Sequence, residues 1–315
     1  MLQALIPNRG DGWQWFLNEL LKWLAGVADR PSTGSTQVSG LQGNAEATPE
    51  DLVAAHSTLE AAALLGRCTA EMHLALSISA DLPAFAPEPM REGDLARDAE
   101  RIEAQIRSTL EALKLKLATL DDAAGDDDAL LLSRRTELIR RARSIAALEA
   151  SGQKIRIHGD YHLGQTLRTA KNSQSLAGGG DFVLIDFEGE PARPIEERRG
   201  RQSPLKDVAG MIRSFSYAAY AAVDHYVTSD GGAREHPDSN ALSGWAQWWQ
   251  TAASARFLRA YGDAAASNPA LLPGPETAKA LLEAYLLEKA LYEVLYELNH
   301  RPAWRRIPIN GILAL

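Results

Sequence analysis

Two stretches near the centre of this chain decide its fold: His158-Gly159-Asp160-Tyr161-His162-Leu163-Gly164-Gln165 and Ile185-Asp186-Phe187-Glu188-Gly189-Glu190. In the first, an acid and an amide side chain stand five residues apart, at Asp160 and Gln165. In the second, the apolar segment 182–185 leads into an acidic turn at Asp186. The order and spacing predict a loop and a strand end that present oxygen-bearing side chains together.

This arrangement matches a pattern found in protein kinases, H-R-D-x-x-x-x-N followed by a strand and D-F-G. Gln165 stands where that pattern has Asn, and Glu188 stands where it has Gly. Phosphoryl transfer needs an oriented hydroxyl, an acceptor for its proton, and cations for the phosphate oxygens. The sequence therefore predicts a phosphoryl-transfer site, with the two stretches as its catalytic loop and metal-binding turn.

Each oxygen-bearing residue of the two stretches has a predicted task. Asp160 accepts a hydrogen bond from the attacking hydroxyl and later takes its proton. Gln165 and Asp186 offer hard oxygen ligands for Mg²⁺, and Glu188 adds a second carboxylate. The same residues would contact the nucleotide phosphates through the metal.

Two histidines flank the predicted base. His158 is expected to hold the turn by hydrogen bonding to backbone. His162 faces phosphate or substrate, or braces the loop, and the sequence leaves these readings open. Both are counted with Asp160 as candidate catalytic-loop residues.

A rival interpretation uses the same letters. On a strand, His158, Asp160 and His162 would face one side and could ligate Zn²⁺, which would indicate a metal-dependent hydrolase. The glycines of the loop disfavour a strand, and no further histidine cluster follows. The phosphoryl-transfer reading is therefore preferred.

Composition narrows the class of protein. The net charge is −8, which disfavours non-specific nucleic-acid binding. Cys68 is the only cysteine, which excludes an intramolecular disulfide and fits a reducing cytoplasm. The sequence shows neither a secretory signal nor an apolar run long enough to span a bilayer. We expect a cytoplasmic protein.

Three segments follow one another along the chain: helical residues 1–151, a small β-region at 152–200, and helical residues 201–315. Helices are predicted at 12–25, from Pro49 to about Leu76, and at 95–117, 129–150, 244–261 and 275–300, with a further helix opened by Ser203-Pro204. Strands are predicted at 154–157, 166–169 and 182–185, with a triple-glycine turn at 178–180 and an exposed tip at 171–177. A loop is predicted at 29–48, and the acidic stretch 121–128 is expected to be solvated.

The last long helix carries many polar and aromatic groups. Glu288, Tyr292 and Tyr296 are four residues apart and share one face. This is either a core stripe with charged flanks or a sugar platform, on which aromatic rings cover sugar C–H faces.

These motifs together resemble the maltokinases, bacterial members of the aminoglycoside-phosphotransferase-like branch of the kinase fold. The resemblance covers nearly the whole chain, including 7–13, 158–165, 186–191, 203–211 and 288–302. Tyr161 departs from the Leu expected at its position. The fold class implied is α+β, mainly α: a kinase-like C-terminal lobe whose small β-region carries the two loops.

The resemblance implies a function and a set of roles. The family uses ATP and Mg²⁺ to phosphorylate maltose at its anomeric hydroxyl, giving maltose 1-phosphate for α-glucan and glycogen synthesis. Asp160 would be the base, and Gln165 and Asp186 would be metal ligands. Asp207 would support the catalytic loop from below. The sugar-pocket candidates are Glu288, Tyr292, Tyr296 and Asn299.

One feature of the family is missing from the sequence. The expected N-terminal ATP lobe has a glycine-rich loop and a strand-borne Lys, and neither precedes the first helix. Activity is therefore expected to need that lobe, in cis or from a partner, and many family members are fused to trehalose synthase. The alternatives are a non-catalytic sugar-binding or regulatory module of this fold, and a related kinase acting on an aminoglycoside, choline or another sugar.

Overall fold

A computed structural model describes residues 5–28, 53, 55–78, 83–117, 125–169, 181–229 and 239–315. In chain order the helices are α1 (Gly12–Val27), α2 (His56–Leu76), α3 (Glu92–Leu117), α4 (Gly125–Ser133), α5 (Arg135–Ser144), α6 (Ile195–Arg198), α7 (Leu205–Ser229), α8 (Ser239–Ala265), α9 (Pro275–His300) and α10 (Arg306–Leu313). The strands are β1 (Asn8–Asp11), β2 (Glu88–Pro89), β3 (Gln153–Lys154), β4 (Thr166–Thr169) and β5 (Phe182–Leu184). The predicted α+β class with a predominance of helix is confirmed.

The chain forms two compact units. Unit 1 is drawn from Met1–Ala75, His158–Arg198 and Ser214–Asn268, and unit 2 from Leu76–Ile157, Arg199–Arg213 and Pro269–Leu315. Each unit contains residues from all three segments predicted along the sequence. Among the helices of the described ranges, none has the length and apolar character needed to cross a bilayer.

The core of unit 1 is aromatic. Helix α1 begins at an Asp11 cap, whose Oδ1 accepts a hydrogen bond from the Gln14 amide at 2.7 Å. It buries residues at helical spacing, with Phe16 fully enclosed. The Phe16 ring lies 5.7 Å from Phe215 of α7 and 6.0 Å from Trp249 of α8. Helices α1, α7 and α8 therefore surround one apolar centre.

A small sheet in unit 1 has the order β1-β4-β5, and both of its pairings are antiparallel. Thr166 at the start of β4 pairs with Leu184 at the end of β5. Because these strands are antiparallel, the residue before β4 lies next to the residues after β5. Strand β4 has the predicted bounds 166–169, and β5 begins at the predicted residue 182 and ends at Leu184, one residue before the predicted end.

The strand predicted at 154–157 is only partly present. Strand β3 covers Gln153–Lys154 and pairs with β2 in unit 2, not with the sheet of unit 1. Residue Ile155 forms one further bridge to Gln202, which ends the extended segment. The sequence shows the extended character of this segment but not its partner, because the partner is distant along the chain.

The helices of unit 2 pack around α3. Asp94 caps its first turn by accepting a hydrogen bond from the Arg91 amide at 2.9 Å. The helix predicted at 129–150 is divided into α4, α5 and a 3₁₀ turn at Ile145–Ala147. The chain leaves helical geometry at Arg134, where ψ is 3°. This break lets α4 pack on α10 while α5 packs on α3.

The acidic stretch 121–128 differs from its prediction at its end. Asp128 is 1% exposed and receives hydrogen bonds from the Arg305 guanidinium at 3.1–3.4 Å. A buried carboxylate needs such a partner, and the partner is 177 residues away in sequence. The expectation of a solvated stretch is therefore wrong at this residue.

The other helices follow their patterns. Helix α9 has the predicted bounds and begins with Pro275 in its first turn. Helices α1 and α8 extend slightly beyond the predicted ranges. The loop predicted at 29–48, the helix start at Pro49, the tip at 171–177 and the turn at 178–180 lie outside the described residues.

Candidate active site

The two central stretches lie side by side in unit 1. Gln165 immediately precedes β4, and Ile185 immediately follows β5. The Ile185 amide donates to the Gln165 carbonyl at 3.0 Å, which continues the strand pairing by one step. This pairing places the end of the predicted catalytic loop beside the start of the predicted metal-binding turn.

Two predicted metal ligands are in direct contact. Gln165 Nε2 donates a hydrogen bond to Asp186 Oδ2 at 2.9 Å. Asp186 is exposed and Gln165 is half-buried. The pair thus offers one carboxylate and one amide oxygen at an accessible edge of the sheet. Magnesium usually takes one or two carboxylates, with waters and substrate phosphates completing its octahedron, so this donor set fits Mg²⁺.

The backbone at Asp186 has an unusual conformation. Its φ angle is +65°, the one positive φ recorded for a non-glycine residue in the described parts of the chain. Such a conformation is unfavourable for an L-residue, and Asp tolerates it better than most. Strained residues of this kind cluster at functional sites, where the surrounding structure maintains them.

His158 ties the two stretches together. Its ring is fully buried, and its Nε2 lies 2.8 Å from the carbonyl oxygen of Ile185. Since a carbonyl only accepts hydrogen bonds, Nε2 carries the proton. The ring lies 5.2 Å from Tyr161 and 5.0 Å from Phe187, between the two stretches. This histidine therefore positions the turn that carries Asp186.

A glycine allows the same two stretches to meet at backbone level. Gly159 has a φ of +83°, and a Cβ at this position would lie 3.2 Å from Gly189 Cα. A larger residue would be strained and would press on the turn. The predicted catalytic loop and metal-binding turn therefore approach each other closely at the residues next to Asp160 and Glu188.

The predicted base lies at the centre of this loop. The Asp160 side chain is 19% exposed, and its Oδ2 is 3.9 Å from Nε2 of His162. His162 Nδ1 accepts a hydrogen bond from the Gly164 amide at 3.1 Å. The 3₁₀ turn Leu163–Gln165 therefore starts from a histidine cap.

Residues far along the chain hold the loop from the core side. The hydroxyl groups of Tyr161 and Thr69 are 2.9 Å apart and buried. The Leu163 amide donates to Ser214 Oγ at 3.1 Å. Thr69 and Ser214 were not identified from sequence, because each is one hydroxyl on a long helix. A small polar residue on the buried face of such a helix is the only signal they give.

Glu188 lies on the exposed side of the turn. Its carbonyl accepts a hydrogen bond from the Arg198 guanidinium at 3.3 Å. The side chain of Arg198 also covers Gly189, where an added Cβ would lie 3.3 Å from the Arg198 Cβ. Arg198 is a further residue that sequence reasoning missed, and it holds the turn from outside.

The zinc interpretation gains no support from the geometry. Across the described ranges, no group of three or more His, Cys, Asp or Glu side chains is arranged to hold a metal ion. His158 Nε2 donates to a backbone carbonyl, and His162 Nδ1 accepts from a backbone amide. One ring nitrogen of each histidine is thus engaged in a hydrogen bond to the backbone.

The predicted sugar residues lie on α9 in unit 2. Glu288 is 5% exposed and contacts Arg101 and, at 3.9 Å, Lys206. Tyr296 is 42% exposed and stacks on His300 at 4.3 Å. Glu288 is therefore part of a buried ion cluster, while the aromatic end of the helix is accessible.

The two remaining candidates lie on the same helix as Tyr296. Tyr292 is half-buried, and the Lys289 ammonium lies 5.0 Å from its ring centroid. Asn299 is exposed, and its side-chain oxygen accepts a hydrogen bond from Lys116 at 3.3 Å.

Asp207 is 2% exposed in the first turn of α7, within unit 2. Its predicted support of the catalytic loop stays a prediction.

Comparison with known proteins identifies glucosamine kinases as relatives. The chain is 26% identical to the glucosamine kinase of Streptacidiphilus jiangxiensis over 314 residues, covering 97% of this chain and 55% of the relative. It is 25% identical to that of Mycolicibacterium smegmatis, covering 98% of this chain and 61% of the relative. No protein-family model matches the sequence.

The structural comparison shows the fold. A solved glucosamine kinase in complex with glucosamine, ADP and inorganic phosphate superimposes with a TM-score of 0.67 and 23% identity. The match covers 98% of this chain and 58% of that structure. The chain therefore has the fold of the corresponding part of a glucosamine kinase, and it spans just over half the length of these relatives.

Proposed function

We propose that this chain carries the catalytic loop and metal-binding turn of an ATP-dependent sugar kinase. The observation that carries the proposal is the contact between Gln165 and Asp186, on a strained turn beside the loop of Asp160. A base, an amide and a carboxylate arranged in this way are the parts that phosphoryl transfer requires. The similarity to glucosamine kinases along nearly the whole chain supports it.

In this mechanism Asp160 accepts a hydrogen bond from the sugar hydroxyl and receives its proton late in the transfer. The oxygens of Gln165 and Asp186 would hold Mg²⁺, with Glu188 as a further carboxylate on the same turn. The metal, when bound, neutralises charge on the phosphates of ATP. His158 and Arg198 hold the backbone of the turn, at the carbonyls of Ile185 and Glu188.

The identity of the sugar substrate is a more specific part of the proposal. Glucosamine is one candidate, because the relatives and the solved structure are glucosamine kinases. Maltose is the other, because the central motifs and the end of α9 resemble those of maltokinases. In that case the product is maltose 1-phosphate, for α-glucan and glycogen synthesis in the cytoplasm. Partnership with an N-terminal kinase lobe or a fused trehalose synthase belongs to this same reading.

Sugar recognition by α9 is proposed for its exposed end. The Tyr296 and Tyr292 rings offer apolar faces for sugar C–H groups, and the Asn299 amide can bond hydroxyls. Glu288 is placed in the same set by the maltokinase resemblance, although its carboxylate contacts Arg101 in this structure. Tyr296→Ala should raise KM for the sugar and leave kcat nearly unchanged, while Tyr226→Ala on α7 serves as a tyrosine control.

The test is an ADP-release assay with Mg²⁺ and ATP, using glucosamine, maltose, glucose and an aminoglycoside in turn. It is run on this chain and on any longer polypeptide in which the chain naturally occurs. Sugar-dependent ADP release, with a phosphorylated sugar seen by mass spectrometry, supports the proposal. Release with the aminoglycoside alone would assign another class of acceptor. Calorimetry that detects sugar binding but no Mg-ATP binding in both forms would favour the non-catalytic module.

A further inference from the structure

The ring of His162 is folded back onto its own loop. The Gly164 amide donates to Nδ1 at 3.1 Å, and Gln165, the next residue, donates its amide to the His162 carbonyl at 2.9 Å. Because Nδ1 accepts a hydrogen bond from an N–H group, it carries a lone pair rather than a proton. The proton of the neutral ring is therefore on Nε2.

A glycine makes this ring position available. A Cβ on residue 164 would lie 2.9 Å from Cε1 and 3.0 Å from Nδ1 of His162. Any side chain at this position would push the ring away from the amide. Because residue 164 is a glycine, the imidazole of His162 has room to pack against the backbone of its own loop.

The other end of this ring faces the predicted base. Nε2 lies 3.9 Å from Asp160 Oδ2, and the two side chains are 41% and 19% exposed. An N–H dipole that points at a carboxylate favours one rotation of that carboxylate. Hydrogen bonds of catalytic groups are often long before the substrate binds and shorten in the complex.

We propose that His162 is a positioning residue for Asp160, with its proton fixed on Nε2 by the Gly164 amide. The catalytic consequence rests on the proposed function, but the tautomer and its coupling to Asp160 do not. The neutral ring orients the carboxylate without adding a positive charge beside the metal-binding turn. The role differs from that of His158, whose Nε2 proton is given to the Ile185 carbonyl.

The test is ¹⁵N NMR of histidine-labelled protein at pH 8, with His162 assigned by its loss in His162→Asn. The expected signals show Nδ1 unprotonated and Nε2 protonated, as a single tautomer. The exposed His56 on α2 should show the solution mixture. Gly164→Ala should return His162 to that mixture, and Asp160→Asn should shift its Nε2 signal.

Two results would overturn the proposal: a His162 ring with its proton on Nδ1, or an Nε2 signal unchanged by Asp160→Asn. The His158 signals report whether each variant keeps its loop, because that ring depends on Ile185. A folded Gly164→Ala variant that leaves the His162 tautomer unchanged would also contradict it.

Kinetics separate positioning from a purely structural role. Asn at position 162 keeps an acceptor for the Gly164 amide, as in an Asx turn, but its side chain is too short to reach Asp160. His162→Asn should therefore lower kcat about 10- to 100-fold with little change in KM. Full activity in this variant would show that His162 serves only as a cap. If neither this chain nor the longer polypeptide shows turnover, the proposed function fails while the NMR measurements still decide the tautomer.

Discussion

Carboxylates in the two units of this protein differ in exposure and in hydrogen-bond partner. In unit 1, Asp186 is exposed and accepts a hydrogen bond from the neutral amide of Gln165. In unit 2, Glu293 is 8% exposed and lies 2.8 Å from the guanidinium of Arg213. Asp128 and Arg305 repeat the second arrangement.

The difference shows what each carboxylate can do. A buried carboxylate that has an arginine partner is stabilised within the fold, because its lost hydration is replaced by the ion pair. An exposed carboxylate on a strained turn keeps its hydration and needs no arginine partner. It is therefore available to a cation. Residue type alone therefore does not separate a ligand from a structural ion pair.

The largest expected effect concerns catalysis in unit 1, at Asp160. Asp160→Asn keeps the size of the side chain but removes its ability to take a proton. We expect kcat to fall by about 10²–10⁴-fold, the usual range for loss of a general base. The ADP-release assay measures this change, with circular dichroism to confirm folding. Asp263→Asn, on the exposed surface of α8, is the matched control. Wild-type activity in Asp160→Asn would remove Asp160 from the mechanism.

The second prediction concerns stability: loss of one partner of the buried Asp128–Arg305 pair in unit 2 should lower the free energy of unfolding strongly. Arg305→Met leaves Asp128 without its guanidinium at 1% exposure. The free energy of unfolding should fall by about 3–5 kcal/mol, measured by urea denaturation. The double variant Arg305→Met/Asp128→Leu should recover most of this loss, since no charge remains to be compensated.

The control for that measurement is an exposed pair. Arg67 and Glu71 on α2 are 3.6 Å apart, with side chains 46% and 63% exposed. Glu71→Gln should change the free energy of unfolding by less than about 0.5 kcal/mol. Equal losses from Arg305→Met and Glu71→Gln would contradict the role given to burial.

The strain at Asp186 can be measured with two substitutions that both remove the carboxylate. Glycine accepts a φ of +65° without penalty, whereas alanine does not. Asp186→Gly should therefore be more stable than Asp186→Ala by about 1 kcal/mol, after allowing for the greater freedom of glycine when unfolded. Equal unfolding midpoints would show that the turn relaxes when the carboxylate is removed.

The smallest effect concerns acid stability in unit 2. Burial raises the pKa of Asp98, but Lys206, Arg101 and a hydrogen bond from Tyr285 outweigh it, so the pKa lies below its ordinary value. The unfolded state therefore binds a proton at higher pH than the folded state does. The stability contributed by Asp98 is complete above the ordinary Asp pKa and is lost as the pH falls through the folded pKa.

The measurement compares wild type with Asp98→Asn in urea at pH 7 and pH 3. The wild type should be the more stable at pH 7, and the gap should shrink at pH 3. A gap that stays constant or widens toward acid would reverse the sign of this linkage.

The sequence predicted the parts of the site that depend on local order. Spacing placed Gln165 and Asp186 on neighbouring strand ends, which the antiparallel pairing of β4 and β5 brings together. Asp160 lies in the loop that leads to Gln165. Helix α9 was predictable because its apolar residues recur at helical spacing along its whole length.

What the sequence could not show depends on distant partners. Asp128 lies in an acidic run that indicates a solvated stretch, and only the fold brings Arg305 to it. Glu288 lies four residues before Tyr292 on one face, but its contact with Arg101 becomes known only from the structure. Ring orientation at His162 depends on a single backbone amide, which no spacing pattern encodes.

The close backbone approach of Gly159 and Gly189 has a consequence for engineering. A designer who transplants the loop around Asp160 into another scaffold must bring the segment around Asp186 with it, since each shapes the other. Insertions that lengthen either segment should be selected against unless the second adjusts in step.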